Sequence, residues 1–267
     1  MSTNTLNLLT QGLDILSDKL QEIHDDEFFL PSLTLTDLEF VNHISIDSQA
    51  LSKSKIIIGT AYDGLPILYD FTRPQSGSVL TVGQQIGDYI PILHSLIHSI
   101  SRLSRDISLK TIIMMDDSHL PSKVKRGLSD IEVINPYSST GRRLIWDLVG
   151  KIEQRKIGRE EGVIYILLVD LNCVNQYGDY DTEVLFEWLL TNGPKAYIFP
   201  FVFYQDQGSN ISMLLQNPLY STVILSVNLI KSLPWIAHSI NPELTFHCYS
   251  FLTIIDGELV PFNLHES

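Results

Sequence analysis

A glycine-containing turn at residues 83–89 is the part of the sequence whose residue types come nearest to a catalytic motif. A β-branched run at 78–82 precedes the turn, and an apolar stripe with helical spacing follows from Pro91. A strand, a glycine turn and a helix in this order frame a phosphate-binding loop, whose motif is G-x-x-x-x-G-K-[ST]. The pattern therefore predicts a strand, a turn and a helix that begins near Pro91.

The groups that act on phosphate are missing from this turn. When the motif is laid over the chain from Gly83, Tyr89 stands at the position of the lysine and Ile90 at that of the hydroxyl. No other register helps, because no lysine lies between Lys55 and Lys110. The lysine contacts the β- and γ-phosphates and the hydroxyl binds Mg²⁺, so we expect no ATP hydrolysis at this loop.

Asp88 adds a negative charge close to the predicted start of the helix. A carboxylate in this place caps the helix and complements its dipole, and it also occupies or repels the place of a phosphate. At an effective dielectric constant of about 20, two like charges about 4 Å apart repel each other by roughly 4 kcal/mol. The turn therefore keeps the frame of a phosphate loop without its chemistry.

The rest of the chain alternates apolar strands with amphipathic helices, which is typical of an α/β fold: a mostly parallel sheet with helices on both faces. Asp-Gly pairs at 63–64 and 256–257 predict β-hairpins near the start and the end of this sheet. An N-terminal amphipathic helix carries an apolar stripe of Leu6, Leu9, Leu13, Leu16, Leu20 and Ile23. We therefore divide the chain into residues 1–54, with this helix and a connecting segment, and an α/β domain at 55–267.

Composition limits the possible partners and compartments. The 267 residues carry a formal net charge of -13, which disfavours direct binding of nucleic acid because that binding needs clustered lysine and arginine. Cys173 and Cys248 lack metal-binding spacing and fit a reducing, cytoplasmic environment. The longest apolar runs have the length of strands, so no membrane-spanning helix is expected.

Several segments, in the same order along the chain, resemble the FtsK/HerA-type P-loop translocase ATPases. Residues 63–70 and 78–83 resemble that family's entry into its Walker A strand, and 167–170 (Leu-Leu-Val-Asp) resembles its Walker B strand. Residues 203–205 (Phe-Tyr-Gln) resemble its sensor position, and 255–262 resembles its C-terminal hairpin. The resemblance covers residues 55–265 and implies a P-loop NTPase-like fold.

The resemblance also implies roles that this chain fills incompletely. Asp170 would be the Walker B acid, but Leu171 follows it where the family usually carries a second acid as catalytic base. Gln205 would read the γ-phosphate, and we interpret it as a polar group at a strand end. We expect no catalytic residue, cofactor or metal site, and we list as vestigial nucleotide-site positions Gly83, Gly87, Asp88, Tyr89, Ile90, Asp170 and Gln205.

Other polar clusters carry weaker signals. His94 and His98 have the spacing of a zinc pair without a third ligand, and we interpret them as surface or interface histidines. We expect the acidic groups at 116–117 and 179–183 to face solvent. Two basic clusters could receive an acidic partner or the nucleotide of a neighbouring subunit. They are Lys151, Arg155, Lys156 and Arg159, and Lys123, Lys125, Arg126, Arg142 and Arg143.

Together these features favour a catalytically inactive FtsK/HerA-like ATPase-fold protein that is a structural or regulatory subunit of a larger assembly. Its partners would be copies of itself, an active ATPase or other subunits. The N-terminal leucine stripe would pack either on such a partner or on its own domain. Two alternatives stay open. One is a noncanonical ATP-binding or hydrolysing translocase subunit that uses Tyr89, Asp170 and Gln205. The other is an unrelated α/β protein-interaction module.

Overall fold

The structure is a computed structural model of the whole chain. It describes residues 55–74, 77–103, 108–116, 120, 131–136, 138–157, 163–177, 180–206, 211–233, 250–255 and 258–264. The predicted N-terminal helix, with its leucine stripe, and the boundary at residue 54 lie outside these residues, as do Cys248, Lys123, Lys125, Arg126 and Arg159. Those predictions stay predictions.

The described residues form one ten-stranded sheet with the order β2-β1-β10-β9-β8-β3-β7-β6-β4-β5. Its strands are β1 (Lys55–Ala61), β2 (Pro66–Asp70), β3 (Val79–Gly83), β4 (Leu109–Met114), β5 (Ile131–Ile134), β6 (Ile164–Asp170), β7 (Ile198–Gln205), β8 (Thr222–Ser226), β9 (Phe251–Ile255) and β10 (Glu258–Leu264). Strands β3 to β8 run parallel to their neighbours among themselves, whereas β9, β10, β1 and β2 are added by antiparallel pairing. The predicted α/β fold with a mostly parallel sheet is confirmed.

The helices lie on both faces of this sheet. They are α1 (Ile86–Leu103), α2 (Ser139–Lys156), α3 (Leu171–Tyr177), α4 (Tyr180–Asn192), α5 (Ile211–Leu215) and α6 (Val227–Lys231), with one 3-10 turn at Pro194–Ala196. On one face, α1 packs its apolar stripe against the phenylalanines of β7 and the isoleucines of β1. On the other face, α2 and α4 cover the alternate side chains of β3, β4 and β6. None of the described helices is long and apolar enough to cross a membrane.

The start of α1 differs from the prediction. The helix begins at Ile86, so Asp88, Tyr89 and Ile90 belong to its first turns and Pro91 lies inside it. Only Gln84 and Gln85 separate the helix from the end of β3. The prediction placed the start of the helix near Pro91, since proline is compatible with the first helical turn. The helix extends further because Asp88 caps an earlier start, as its hydrogen bonds show below.

Candidate functional site

The predicted site residues meet where the parallel strands end. Gly83, the last residue of β3, is in register with Gln205 of β7, and Asp170 of β6 is in register with Phe203 of β7. Ser226 ends β8 on the other side of β3. Because the carboxyl ends of parallel strands share one edge of the sheet, these residues form a single polar region next to the start of α1.

The carboxylate of Asp88 fills the turn between β3 and α1. Its Oδ2 accepts hydrogen bonds from the backbone N–H groups of Gln84 at 2.8 Å and Gln85 at 3.1 Å. With Ile86 as the first helical residue, Asp88 is at the third helical position, where an acidic side chain reaches back to the N-cap. The two turn amides that point toward the helix entrance therefore bind a carboxylate of the same chain.

A second element holds the same carboxylate from the other side. Asn228 of α6 donates its side-chain amide to Asp88 Oδ1 at 2.8 Å, and the Ser226 hydroxyl lies 3.5 Å from Oδ2. Among the described residues no ion pair involves Asp88, so amide and hydroxyl dipoles and the N-terminus of α1 stabilise its charge. Sequence reasoning missed Ser226 and Asn228, because they lie about 140 residues from Asp88 and belong to no local motif.

The two glycines of the turn have different surroundings. A Cβ atom on Gly83 would lie 2.8 Å from Asp88 Cβ and 3.1 Å from the Gln85 carbonyl oxygen, so the carboxylate approaches a position that only glycine fills without displacement. A Cβ atom on Gly87 would meet nothing within 4 Å, and this glycine is exposed in the first turn of α1. Gly83 is therefore needed for the tight turn, whereas Gly87 has no steric requirement.

Tyr89, at the position that the motif reserves for lysine, points into the core. Its side chain is 1% exposed, and its ring lies 5.4 Å from that of Phe203. The hydroxyl faces the buried carboxylate of Asp170 and has no hydrogen-bond partner of good geometry among the described residues. The neighbouring Ile90 is partly buried and packs against the same apolar cluster. Neither side chain extends toward the turn amides that hold Asp88.

The ends of β6 and β7 are joined by an asparagine. Asp170 is 1% exposed, and its Oδ1 accepts from the backbone N–H of Asn172 at 3.0 Å. The Asn172 side chain accepts from the N–H of Gln205 at 2.7 Å and donates to its carbonyl at 3.1 Å. Asp206, also buried, donates its N–H to the Gly83 carbonyl at 3.0 Å. Asn172, which the sequence analysis did not single out, thus fixes Gln205 by its backbone.

The remaining candidates lie elsewhere. His94 is exposed on α1, and burial together with Arg102 and His94 lowers the pKa of His98. Arg155 of the first basic cluster donates to the Val163 carbonyl at 2.6 Å and stacks over Tyr165 at 5.3 Å, so it ties α2 to the sheet. Within the part of the chain that the structure describes, no group of three histidine, cysteine or acidic side chains could hold a metal ion.

Buried and partly buried tyrosines predict that the fold is sensitive to alkali. Burial raises the pKa of Tyr69, burial and Asp170 raise that of Tyr89, and burial and Glu187 raise that of Tyr220 to about 12. Above pH about 10 the unfolded chain loses these protons while the folded chain keeps them, so stability falls as pH rises. We expect each tyrosine to contribute up to about 1.4 kcal/mol per pH unit.

Urea unfolding at several pH values between about 9 and about 11.5 measures this loss of stability. The interval spans the ordinary tyrosine pKa of about 10. In Tyr89→Phe the free energy of unfolding should fall less steeply with pH, because phenylalanine does not titrate. The difference in slope should correspond to one proton. A free energy of unfolding that stays level across this interval would contradict the prediction.

Comparison by sequence finds no relative: no protein-family model and no curated protein matches the chain. Solved structures do match. The cytoplasmic domain of the Thermomonospora curvata type VII secretion ATPase EccC gives a TM-score of 0.52 at 16% identity, over 80% of this chain and 26% of that chain. EccC (ATPases 2 and 3) from the same organism, in complex with a signal sequence peptide, gives 0.54 at 15% identity, over 82% and 42%.

A third match is EssC (ATPases 2 and 3) from Geobacillus thermodenitrificans, with a TM-score of 0.52 at 11% identity, over 100% of this chain and 51% of that chain. The chain thus spans between about a quarter and a half of the length of these structures. At such low identity the similarity is one of fold. The described α/β domain has a fold similar to that of the ATPase domains in these structures.

Proposed function

We propose that this chain is a non-catalytic ATPase-fold subunit with a structural or regulatory role in a larger assembly. The observation that carries the proposal is the carboxylate of Asp88 on the N–H groups of Gln84 and Gln85. In a phosphate-binding loop such amides receive the phosphate oxygens. Here an oxygen of the chain itself takes that place, and its charge repels a second anion.

The length of the turn supports the same conclusion. A phosphate loop surrounds its ligand with successive backbone amides before the helix begins, and its lysine and hydroxyl follow the last glycine. In this chain two residues, Gln84 and Gln85, connect β3 to α1, and the lysine position is occupied by the buried ring of Tyr89. The residues present do not fit a Mg²⁺-nucleotide.

Hydrolysis would also lack a base. Leu171, which stands where the resembled family carries its second acid, is 8% exposed and belongs to the apolar cluster beneath α4. The Asp170 carboxylate already accepts the Asn172 N–H, and the backbone of Gln205 is fixed by the same asparagine. Burial weighs against a noncanonical enzyme built on Tyr89, Asp170 and Gln205, because Tyr89 and Asp170 are each 1% exposed and so lie away from solvent water.

The comparisons support the role of an assembly subunit. Two of the matched structures hold two ATPases each, and this chain spans 42% and 51% of their lengths, about one ATPase unit. In these structures a domain of this fold therefore occurs together with a second one, which is in keeping with the role of a subunit. The fold match likewise weighs against an unrelated α/β module. A cytoplasmic location and protein partners rather than nucleic acid complete the proposal, in keeping with the net charge of -13.

Titration with ATP and Mg²⁺ tests the proposal. We expect no saturable heat of binding up to millimolar nucleotide and no rise in the unfolding midpoint. A site with a dissociation constant of about 10 µM would instead stabilise the fold by about 3.7 kcal/mol at about 5 mM ATP. Micromolar binding overturns the proposal, and so does steady turnover that Asp170→Ala abolishes.

A further inference from the structure

The outer surface of α4 carries apolar and acidic side chains together. Tyr180, Val184 and Glu187 follow at spacings of four and three, so they share one side of the helix. Tyr180 is 78% exposed and Val184 is 45% exposed, while the opposite side of α4 is buried in the sheet core. Asp181 is exposed in the same first turn. Large apolar side chains that are exposed next to one another are typical of interaction surfaces.

The exposed residues near the start of α2 include two arginines and a tryptophan. Trp146 is 56% exposed, although α2 has four other residues buried against the sheet. Arg142 and Arg143 lie one turn before it and are exposed. The pairing of Arg143 with Asp147, at 3.9 Å between exposed groups, is of the kind that contributes little to stability. Tryptophan and arginine are also the residues most enriched among the strong contacts of interfaces.

The two helices lie side by side, which makes these surfaces one face. Lys156 of α2 stacks over the ring of Trp188 of α4 at 4.5 Å, and both helices pack on the same apolar cluster. α2 follows the end of β5, and α4 leads through the 3-10 turn to the start of β7, so the first turns of both helices lie toward the same edge of the sheet. We define the α2–α4 face by Arg143, Trp146, Tyr180, Val184 and Glu187.

We propose that the α2–α4 face binds a second copy of this chain about a twofold axis. A rotation about an axis that lies between the two faces, parallel to the helices, places α2 of one copy over α4 of the other, and the reverse contact forms at the same time. The arginines of each copy then oppose the acidic residues of its partner, and Trp146 meets Tyr180 and Val184. The charge complementarity is internal to the chain, so one sequence supplies both halves of the contact. The proposal names a partner for the assembly role proposed above and rests on it.

Charge swaps test the pairing in the full chain. Arg143→Glu alone places like charges opposite each other in both symmetric contacts, and Glu187→Arg alone does the same. Like-charge contacts cost several kcal/mol, so we expect each single variant to dimerise at least about tenfold more weakly in sedimentation equilibrium at about 0.15 M salt. An equimolar mixture of the two variants should regain the dimer, because both contacts are then between opposite charges.

Arg73→Glu is the matched control. Arg73 is 72% exposed on the connection after β2, so this substitution changes the charge by the same amount at a place outside the α2–α4 face. We expect it to dimerise as the unaltered chain does. A chain that stays monomeric at about 0.1 mM overturns the inference. So does a dimer that neither charge swap weakens, or an open series of larger oligomers in place of a closed pair. None of these outcomes changes the result expected from the titration with ATP and Mg²⁺. Failure of the dimer proposal can therefore be told apart from failure of the proposed function.

Discussion

Replacing Asp88 with alanine is expected to lower the free energy of unfolding by about 2–4 kcal/mol. The carboxylate caps α1 through two backbone N–H groups and also binds Asn228 of α6, and it is 7% exposed. A helix cap is worth about 1 kcal/mol, and hydrogen bonds to a charged group are worth about 1.5–3 kcal/mol each when buried. Urea unfolding of the variant at neutral pH measures the loss.

The same variant should gain an affinity for phosphate. Without the carboxylate, no anion is bound to the N–H groups of Gln84 and Gln85 at the N-terminus of α1. Free backbone N–H groups at the start of a helix bind phosphate in other proteins. A site with a dissociation constant of about 5 mM would raise the free energy of unfolding of the variant by about 1.4 kcal/mol at about 50 mM phosphate. Because phosphate stabilises most folded proteins through the solvent, the quantity to compare is the increment in the variant minus that in the unaltered chain.

Asp63→Ala is a suitable control for this pair of measurements. Asp63 also accepts a backbone N–H, from Leu65 at 2.9 Å, but it does so in an exposed turn. We expect a loss below about 1 kcal/mol and no specific response to phosphate. If Asp88→Ala is as stable as the unaltered chain, or if both respond to phosphate equally, the carboxylate does not stand in for a phosphate.

The strand, turn and helix at residues 79–103 show what could be predicted from sequence and what could not. The strand was predicted within one residue because its apolar run is continuous and fully buried. The helix start was wrong by about five residues, because Pro91 was given more weight than Asp88 as a start signal. An acid three residues after the N-cap is the signal that could have placed the start at Ile86.

Local sequence patterns could not predict the shortest helices or the features that depend on distant parts of the chain. The short helices α3, α5 and α6 have five to seven residues and no full apolar period. The strand order, which places β7 between β3 and β6, follows from long crossovers rather than from any turn. The hydrogen bond from Asn228 to Asp88 exists only because β8 lies next to β3. The type of each long element was therefore accessible, and the contacts of the site were not.

Tyr89→Lys, which restores the missing lysine, is expected to destabilise the fold by about 3–5 kcal/mol rather than to restore nucleotide binding. The native ring is 1% exposed and packs on Phe203, so its loss removes apolar contacts and leaves a cavity. The ammonium group would be buried beside one carboxylate, Asp170, within an otherwise apolar cluster. Urea unfolding and titration with ATP and Mg²⁺ measure the two effects on one protein.

Tyr89→Phe separates the ring from the hydroxyl in this experiment. Because the hydroxyl has no well-aligned partner among the described residues, its removal should change the free energy of unfolding by less than about 1 kcal/mol. A large loss in the lysine variant with little loss in the phenylalanine variant means that the position serves packing. A lysine variant that is as stable as the unaltered chain and binds ATP at micromolar concentration would mean the opposite. The turn would then still be able to hold a phosphate, and its present residues would merely block one, so the chain would be an ATPase fold with a masked site.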